Sequence, residues 1–539
     1  MGSARSLDLL LILLFFISSS WRISTSSSTP LVGSNAENTF LECMSSKPHP
    51  FSSQIHTPYI PSYSSLLYSY STQHLRLLNS TKAAHKPTAI VTPKNEQEIK
   101  KALLCSKRNG LQIRVRSGGH DYEGLSLKSS FAFIVIDLVN FRSISVDVRT
   151  QTAWVQSGAT VGELAYRIAE KSKTLGFPSG ICPTMGVGGH FSGGGIGALV
   201  RKYGTAADNI IDAFILDVTG RILNRKSMGE NLFWAIRGGS GASFGIILAW
   251  KIKLVPIPEI VTVFSPTRTL EQGAAKLFVK WQQIADKLPV DLFIRAVIQP
   301  GSWNGHKTVQ VVFNSLYLGG TGDLLRIMQK SFPELGLTAN DCTETNWIGS
   351  VLKLSFTPNV ETLLNRTHPD TLPFKAKSDY VQKPIPENGL SGIWKGVLEL
   401  EASTFLILEP FGGKMNAISE SAIPFPHRKG NLYEIQYLVK WNQGQAPEKH
   451  IDWIRNLYSY MTPYVSSNPR ASYVNYRDLD LGKNDIPNMS YLKAASSWGT
   501  KYFKGNFKRL AMVKKQVDPQ NFFKDEQSIP PYSAPSCCY

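Results

Sequence analysis

Long apolar runs are scarce in this sequence. After the N-terminal region, no segment stays apolar for the roughly 20 residues that a membrane-spanning helix needs. The most apolar stretch, residues 9–17, follows Arg5 and is too short to cross a bilayer. It predicts a secretory signal peptide over residues 1–28. We therefore expect a soluble protein of the secretory pathway, without a membrane span, that ends in the extracellular space or a vacuole.

Acidic residues are also comparatively few. Asp and Glu number 40 against 58 Lys and Arg, which gives a formal net charge of +18. Such an excess can indicate nucleic-acid binding, but the basic residues are scattered and form neither an arginine-rich run nor a zinc-finger spacing. We interpret the charge as a solvated basic surface, and we predict neither a nucleic-acid partner nor a metal.

Internal repeats and low-complexity stretches are missing beyond a serine-rich start. With 42% hydrophobic and 18% charged residues, the composition is that of a globular protein and excludes extended disorder. A chain of 539 residues is too long for a single core, so two or three domains are expected. We expect the protein to be a monomer.

Cysteine is sparse, with six residues in the whole chain. Because an exported chain meets an oxidising environment, some cysteines should pair, and Cys43 with Cys105 is the best candidate disulfide. Glycosylation sequons at Asn79, Asn365 and Asn488 are consistent with export.

Two kinds of organisation follow each other along the chain. Residues 86–256 alternate strand and helix patterns, including a helix that Asn95 caps and another that begins with a capping box of Thr160 and Glu163. After about residue 257, long strands with partial alternation are separated by helical patterns, which predicts an antiparallel sheet backed by helices.

Three glycine clusters, at residues 116–124, 186–197 and 237–245, lie beside predicted strands or helices. None has the Gly-x-Gly-x-x-Gly pattern of a dinucleotide-binding turn or the Gly-Lys-Ser/Thr of a P-loop, so nicotinamide and ATP are not indicated. Tight turns would explain one cluster, whereas three favour main-chain amides that approach a large polar ligand. His120 and Cys182 stand within or beside these clusters. From the residues alone, each could be structural, or Cys182 could be a reactive thiolate.

The segments "RSGGHDYEGLS", "CPTMGVGGHFSGGG", "FPHRKGNLYEIQYLVKW" and "YVNYRDLDLGK" resemble, in this order, the plant berberine bridge enzyme-like flavoproteins, a group that includes the cannabinoid acid synthases. The resemblance covers about residues 38–532. It implies an α+β fold with a vanillyl-alcohol-oxidase (PCMH-type) FAD-binding domain at 38–256 and a substrate domain at 257–465. Residues 466–532 would then complete the FAD domain. Since the family is a plant family, the extracellular space expected above is the apoplast, and the vacuole is the alternative compartment.

The same resemblance implies bicovalent FAD. His120 would bond the flavin 8α-methyl carbon and Cys182 its C6, so that the two side chains hold opposite edges of the ring system. A helix over "IGALVRKYG" would direct its positive end at the reduced flavin. The other predicted cofactor-binding residues are Arg116, Ser117, Gly118, Gly119, Gly188, Gly189, His190, Gly193, Gly194, Gly245 and Asn475.

Three candidate catalytic residues face the substrate in this interpretation. Glu434 and Gln436 are two apart and share one strand face. Gln436 occupies the position of a glutamate base in the berberine-forming member, so Glu434, if burial raises its pKa, or Tyr476, if a cation or the flavin lowers its pKa, could replace it. Met185 aligns with a position that governs oxygen access.

The resemblance implies a secreted FAD-dependent oxidase of plant specialised metabolism. A hydride would pass from a phenolic, possibly prenylated, or alkaloid substrate to the flavin, the product would cyclise or desaturate, and O2 would be reduced to H2O2. Three alternatives stay open: a pericyclase that catalyses a Diels-Alder cycloaddition without net oxidation, a non-enzymatic glycoprotein with a relict fold, and a carbohydrate or monolignol oxidase. Ile196, where monolignol-type members carry tyrosine, disfavours the last.

Overall fold

The computed structural model describes residues 32–46, 54–68, 86–368, 372–400, 403–486 and 488–534. The predicted signal peptide, the sequon at Asn79, and Cys537 and Cys538 lie outside the described residues. None of the helices within these ranges has both the length and the hydropathy that a bilayer crossing requires.

The strands before residue 257 form three small sheets. In chain order they are β1 (Ile55–His56), β2 (Ala89–Val91), β3 (Gln112–Arg116), β4 (Phe133–Asp137), β5 (Ile144–Asp147), β6 (Thr152–Gln156), β7 (Leu175–Gly176), β8 (Ile210–Leu216), β9 (Ile222–Leu223), β10 (Ile246–Lys253) and β11 (Val255–Pro256). The orders are β1-β2-β4-β3, with β2, β4 and β3 parallel, then β5-β6-β10-β8-β9 and β11-β7, both antiparallel.

The later strands form one large antiparallel sheet. They are β12 (Val261–Phe264), β13 (Thr267–Thr269), β14 (Leu292–Trp303), β15 (His306–Tyr317), β16 (Cys342–Thr345), β17 (Phe374–Val381), β18 (Ser403–Pro410) and β19 (Tyr433–Lys440). The order is β16-β12-β15-β14-β18-β19-β17, and β13 pairs with β15. This arrangement confirms the predicted antiparallel sheet and the α+β class.

Helices surround these sheets. They are α1 (Val32–Ser45), α2 (Pro61–Tyr68), α3 (Glu96–Arg108), α4 (Val161–Lys171), α5 (Val187–Ser192), α6 (Val200–Tyr203), α7 (Arg225–Ile236), α8 (Ala274–Ile284), α9 (Thr321–Ser331), α10 (Trp347–Leu354), α11 (Glu387–Glu399), α12 (Lys414–Ala417), α13 (Pro447–Tyr460), α14 (Tyr491–Ala494), α15 (Thr500–Phe503) and α16 (Asn506–Val517). The Asn95 cap and the Thr160–Glu163 capping box are both formed.

Two local predictions are wrong. The "IGALVRKYG" pattern gives only the single turn α6, while the glycine cluster before it forms the short helix α5. Gly194 and Gly195 have φ of 124° and 85°, and these left-handed conformations end α5 before a longer helix can form. The apolar run "FGIILAWKIKLVPIP" (residues 244–258) predicts one long strand, but the strand is divided at Leu254, where the chain leaves β10 and pairs with β7 as β11.

The face of the large sheet that lies against α8, α9, α11 and α13 forms its apolar core. Alternate residues of β19, namely Tyr433, Ile435, Tyr437 and Val439, belong to this core. Because strand side chains alternate, Glu434 and Gln436 lie on the opposite face. The sequence thus places polar side chains on the face of the sheet turned away from the helices.

The Cys43–Cys105 disulfide is present and confirms the predicted pair. It joins α1 to α3, with the two Cα atoms 5.8 Å apart. The bond fastens the first described helix to the parallel sheet.

A buried ion-pair network joins three distant segments of the chain. On β17, Lys375 Nζ contacts Glu123, from the first glycine cluster, and lies 2.7 Å from Asp478 Oδ1. Lys377 Nζ lies 2.6 Å from the other oxygen of Asp478 and 2.9 Å from Asp480. The network therefore connects the large sheet, the glycine cluster and the C-terminal segment.

Replacement of Lys375 by alanine should destabilise the fold by about 3–5 kcal/mol, since removal of one partner leaves buried carboxylates uncompensated. Lys395→Ala is the control, because Lys395 is 79% exposed and its ion pair with Glu399 is a surface one. Thermal denaturation of the two variants tests this, and equal melting temperatures would contradict the structural role of the network.

Candidate functional site

A cavity of about 830 Å³ lies between the small sheets and the large sheet. This volume falls within the range of about 300–1,000 Å³ that is usual for small-molecule and cofactor sites. All three glycine clusters line it, together with β14, β18, β19, the loop after α10 and the segment 473–477. Most of the predicted site residues therefore meet at one place.

The first two glycine clusters pack main chain against main chain. A Cβ atom added to Gly118 would lie 2.2 Å from the main-chain nitrogen of Gly186, so side chains are excluded there. The Ser117 hydroxyl donates a hydrogen bond to the Ser157 carbonyl and accepts one from the Gly188 N–H at 3.3 Å. These contacts hold main-chain amides at the cavity wall.

His190 is fixed by a main-chain donor. The Gly180 N–H donates to His190 Nε2 at 2.8 Å, and burial lowers the pKa of His190 to about 4. The ring is thus neutral near pH 7, with its proton on Nδ1. Asn475 Nδ2 donates to the His190 carbonyl at 2.9 Å, and its Oδ1 lies 1.9 Å from the position of a Cβ on Gly193.

Arg116 differs from its predicted role. Its guanidinium forms a buried ion pair with Asp137 and donates to the main-chain carbonyls of Leu66 and Leu67. The charge of Arg116 is therefore neutralised by Asp137 and is not available to bind a cofactor phosphate, although the residue lines the cavity.

The remaining predicted glycines divide into two groups. Gly119, Gly189 and Gly245 line the cavity, and a Cβ on Gly189 would meet no atom within 4 Å. Gly194 is not among the described residues that line the cavity. A Cβ on Gly194 would lie 2.9 Å from the Phe425 ring, and its φ of 124° favours glycine there.

His120, Cys182 and His368 meet at the cavity wall. One ring nitrogen from each histidine and the Cys182 Sγ all lie within 4.8 Å of one another. The Thr184 hydroxyl lies 2.9 Å from His120 Nε2 and 3.5 Å from Cys182 Sγ. Because Nε2 is engaged by Thr184, Nδ1 is the nitrogen of His120 that can form a further bond.

The pKa values in this cluster keep the imidazole neutral and favour the thiolate. Burial, helped by His368 and His190, lowers the pKa of His120 to about 3. Burial by itself would raise the pKa of the Cys182 thiol, but hydrogen bonds and charge from His368, with a smaller effect of Thr184, lower it below its usual value. A neutral imidazole and a thiolate are the nucleophilic forms of these groups.

The residues at the cavity fit FAD. The glycine clusters offer main-chain donors to a pyrophosphate, and aliphatic side chains suited to an aromatic ring are contributed by Ile113, Leu125, Leu138 and Ile247. The ligand atoms of His120 and Cys182 lie within 4.8 Å of each other, which is too close for the two side chains to hold opposite edges of a tricyclic ring system. If both bonded a flavin, they would reach the same benzenoid ring, so the expectation of opposite edges is corrected.

A pair of buried carboxylates stands on the large sheet. Glu409 of β18 is directly opposite Glu434 of β19, and both side chains lie on the cavity side of the sheet. Arg295 Nη1 is 3.7 Å from Glu409 Oε1, while Glu409 Oε2 and both oxygens of Glu434 have no hydrogen-bond partner among the described residues. Burial raises the pKa of each carboxyl, and Glu409 adds to the rise for Glu434.

Only one member of this pair reaches the cavity wall. Glu409 lines the cavity, whereas Glu434, the predicted base, is covered behind it. Gln436 lines the cavity and donates from Nε2 to the hydroxyl of Tyr122 at 2.7 Å.

Tyr476 forms an aromatic wall with Tyr122. Their rings stack with centroids 5.4 Å apart, and Tyr473 packs edge-on against Tyr476 at 5.0 Å. Burial, together with Glu409 and Glu434, raises the pKa of Tyr476 well above 10. The groups that act on the pKa of Tyr476 are carboxylates and tyrosines, and not a neighbouring cation of the kind that would lower it.

The other predicted positions are distributed as follows. Met185 and Ile196 line the cavity, and the Met185 methyl group lies 2.6 Å from the position of a Cβ on Gly180. Asn365 is exposed at the cavity rim, and Asn488 is exposed elsewhere on the surface.

Four residues at the site were not predicted. Tyr122 and Thr184 are two positions from His120 and Cys182, so sequence proximity alone could have indicated them. Glu409 ends an apolar strand, but its pairing with Glu434 depends on strand register, which a single sequence does not reveal. His368 lies beside the Asn365 sequon and carries no local signal of its function.

Comparison with known proteins agrees with this site. Residues 87–225 match the FAD binding domain family, and residues 472–530 match the family described as berberine and berberine like. These matches confirm an FAD-binding domain of the PCMH type, and the first match covers the glycine clusters at residues 116–124 and 186–197.

Curated relatives cover nearly the full chain. Berberine bridge enzyme-like 26 of Arabidopsis thaliana is 49% identical over 543 residues, covering 98% of this chain and 100% of that protein. Monolignol oxidoreductase AtBBE-like 13 of Arabidopsis thaliana is 52% identical over 85% of this chain and 86% of its own. Tetrahydroberberine oxidase of Berberis wilsoniae is 49% identical over 94% of this chain and 96% of its own.

Solved structures share the fold. BBE-like #28 from Arabidopsis thaliana superimposes with a TM-score of 0.86 at 46% identity, covering 92% of this chain and 100% of that chain. Phl p 4, a grass pollen allergen with glucose dehydrogenase activity, gives a TM-score of 0.87 at 43% identity with the same coverage. The chain is a member of the berberine bridge enzyme-like family of FAD-dependent oxidoreductases.

Proposed function

We propose that this protein is an oxidase whose FAD is attached through His120 Nδ1 and Cys182 Sγ, and that it oxidises a cationic aromatic amine of the alkaloid type. The observation that carries the substrate assignment is the pair of buried carboxylates, Glu409 and Glu434, on the face turned towards the cavity. Bound FAD supplies an acceptor for a hydride and passes the electrons on to molecular oxygen.

The first task of the chain is to hold the cofactor. Main-chain amides near Gly118, Gly119 and Gly188 would face the pyrophosphate, and the neutral ring of His190 would offer its Nδ1–H as a donor. Two covalent bonds would fix the ring without a side chain packed over its substrate face. This leaves room for a bulky substrate between the glycine clusters and the large sheet.

Glu409 is the base in this proposal. Its unpartnered Oε2 favours a substrate that brings a cation or an acidic proton, because a buried carboxylate without a partner is costly. Glu409 would take the proton of a substrate ammonium group, so that the nitrogen lone pair assists the loss of hydride from the adjacent carbon. The substrate leaves this step as an iminium ion, ready for cyclisation or further desaturation.

The tyrosines and Gln436 orient the substrate. Tyr476 and Tyr122 offer a stacked aromatic wall, and Gln436 fixes the Tyr122 hydroxyl. Because its pKa is raised, Tyr476 serves as a neutral hydrogen-bonding and stacking group rather than as the base. Glu409 and burial disfavour a negative charge on Glu434, so Glu434 stays protonated beside the base.

Oxygen uptake and peroxide formation with a substrate panel test this function. Protonated tertiary amines of the benzylisoquinoline type should be turned over with stoichiometric H2O2, and faster than neutral prenylated phenols, monolignols or glucose. Preferred turnover of a neutral substrate would overturn the substrate class. Product formation without oxygen uptake would overturn the oxidase and favour the cycloaddition.

Phe356 at the cavity rim provides a separate prediction. This residue is 82% exposed and has φ of 54°, a conformation that a bulky residue rarely adopts. We expect Phe356→Ala to raise KM for the aromatic amine several-fold while kcat and the melting temperature stay within error, because the ring contacts substrate but not the core. An unchanged KM, measured beside the exposed Tyr59→Ala control, would contradict this role.

We infer that the chain enters the secretory pathway and acts as a monomer in the apoplast or vacuole. The exposure of Asn365 and Asn488 supports their glycosylation. Met185 would control the approach of oxygen, since its flexible side chain lies at the cavity wall beside Gly180.

A further inference from the structure

We propose that His368 is the base that takes the proton from Cys182 when this thiol bonds to the flavin, so that the chain promotes the second attachment of its own cofactor. This inference rests on the proposed bicovalent attachment and goes beyond it, since it assigns a residue to the formation of one bond. His368 was not among the residues that the sequence indicated.

The geometry places His368 beside the reacting sulfur. A ring nitrogen of His368 lies within 4.8 Å of Cys182 Sγ and of a His120 ring nitrogen, and the two imidazole rings meet edge-on with centroids 5.2 Å apart. His368 also lines the cavity. An imidazole at this position can accept a thiol proton, as in thiol–histidine pairs generally.

The segment that carries His368 is anchored across the cavity. Arg366 Nη1 forms an ion pair with Glu163 Oε2 at 2.9 Å, and Nη2 donates to the Ser117 carbonyl at 3.2 Å. Both members of the ion pair are 8% exposed. The anchor therefore ties the loop before β17 to α4 and to the first glycine cluster, and so holds His368 above Cys182.

The neighbouring titratable groups are poor acceptors for the proton. The pKa of His120 is lowered to about 3 and that of His190 to about 4, in each case chiefly by burial. Burial raises the pKa of Tyr122, so its phenol stays protonated. The carboxylate of Glu163 is engaged by Arg366. His368 is the remaining base in contact with the thiol among the described residues.

Formation of the bond between Cys182 and the flavin is an oxidation by two electrons, and molecular oxygen is the oxidant. The S–H bond of Cys182 breaks and its proton passes to His368. A C–S bond forms at the flavin C6, and the C–H bond at this carbon breaks with loss of its proton. The two electrons left on FAD are removed by O2, which is reduced to H2O2.

The test uses the full-length chain with His368→Gln, and His306→Gln at the exposed start of β15 as the control. Peptide masses give the fraction of Cys182 that carries flavin, and alkylation gives the free thiol. We expect wild type and the control to be linked at both residues. His368→Gln should be linked at His120 only, with Cys182 open to alkylation near pH 7, and attachment at Cys182 should recover above about pH 8.5, where the thiol ionises unaided.

Equal attachment at Cys182 in His368→Gln and wild type near pH 7 would overturn the inference. If the variant does not fold, the wild-type rate of attachment against pH decides, because a profile that follows an ordinary thiol pKa of about 8.5 would also overturn it. Wild-type protein without covalent flavin would instead refute the proposed function, so the two failures are distinguishable.

Discussion

Flavin should separate completely from the polypeptide on acid precipitation of the His120→Ala/Cys182→Ala double variant, whereas it should stay with the pellet in wild type. Either single variant should keep its flavin in the pellet, since the remaining residue provides one covalent bond. The physical basis is the approach of the two side chains to within 4.8 Å at one cavity wall, where a single ring can meet both.

Cys342→Ala is the control for this experiment, because Cys342 is a free cysteine that lies outside the cavity lining. It should leave the flavin spectrum of the pellet unchanged. Melting temperatures of all variants show whether loss of flavin reflects loss of the fold. Flavin that remains in the pellet of a folded double variant would show that another residue carries the bond.

Activity on a cationic amine should fall by about 10²–10⁴-fold in Glu409→Gln, the range that general acid–base residues contribute. Glutamine keeps the size of the side chain but cannot accept the substrate proton. Because burial raises the pKa of Glu409, its basic form accumulates only above the ordinary carboxyl range. The kcat/KM of wild type should therefore rise with pH along this limb, and the limb should be absent in Glu409→Gln.

Two comparisons make this prediction specific. Glu387→Gln, at an exposed position at the start of α11, should leave kcat/KM and its pH profile unchanged. Glu434→Gln should retain more activity than Glu409→Gln, since Glu434 lies behind the cavity wall. A larger loss in Glu434→Gln would return the role of base to the residue that the sequence indicated.

The sequence predicts the secondary structure and the position of the cavity better than it predicts the electrostatics of the site. Caps such as Asn95, the alternation along β19 and the glycine clusters are local signals, and the structure has the expected helix, strand face and cavity wall at these positions. The division of the strand at Leu254 and the short α6 were missed because they depend on pairing with β7 and on left-handed glycines.

The electrostatics of the site depends on contacts between distant segments. Tyr476 is surrounded by carboxylates because β18 and β19 align Glu409 with Glu434, and no pattern within the C-terminal segment indicates this. The sequence places Arg116 beside a glycine cluster, which suggests that its charge binds an anion. The charge is instead neutralised by Asp137, which is 21 positions further along the chain and has no link to Arg116 in the local sequence pattern. His368 lies beside Cys182 on a loop that Arg366 fastens to α4, a contact between segments far apart in the sequence.

Proteolysis of the wild-type holoenzyme followed by mass spectrometry tests the central claim most directly. One flavin should be found joining the peptide that contains His120 to the peptide that contains Cys182, with the bonds at these two side chains. Recovery of both peptides without flavin, or of flavin joined to neither residue, would contradict the account.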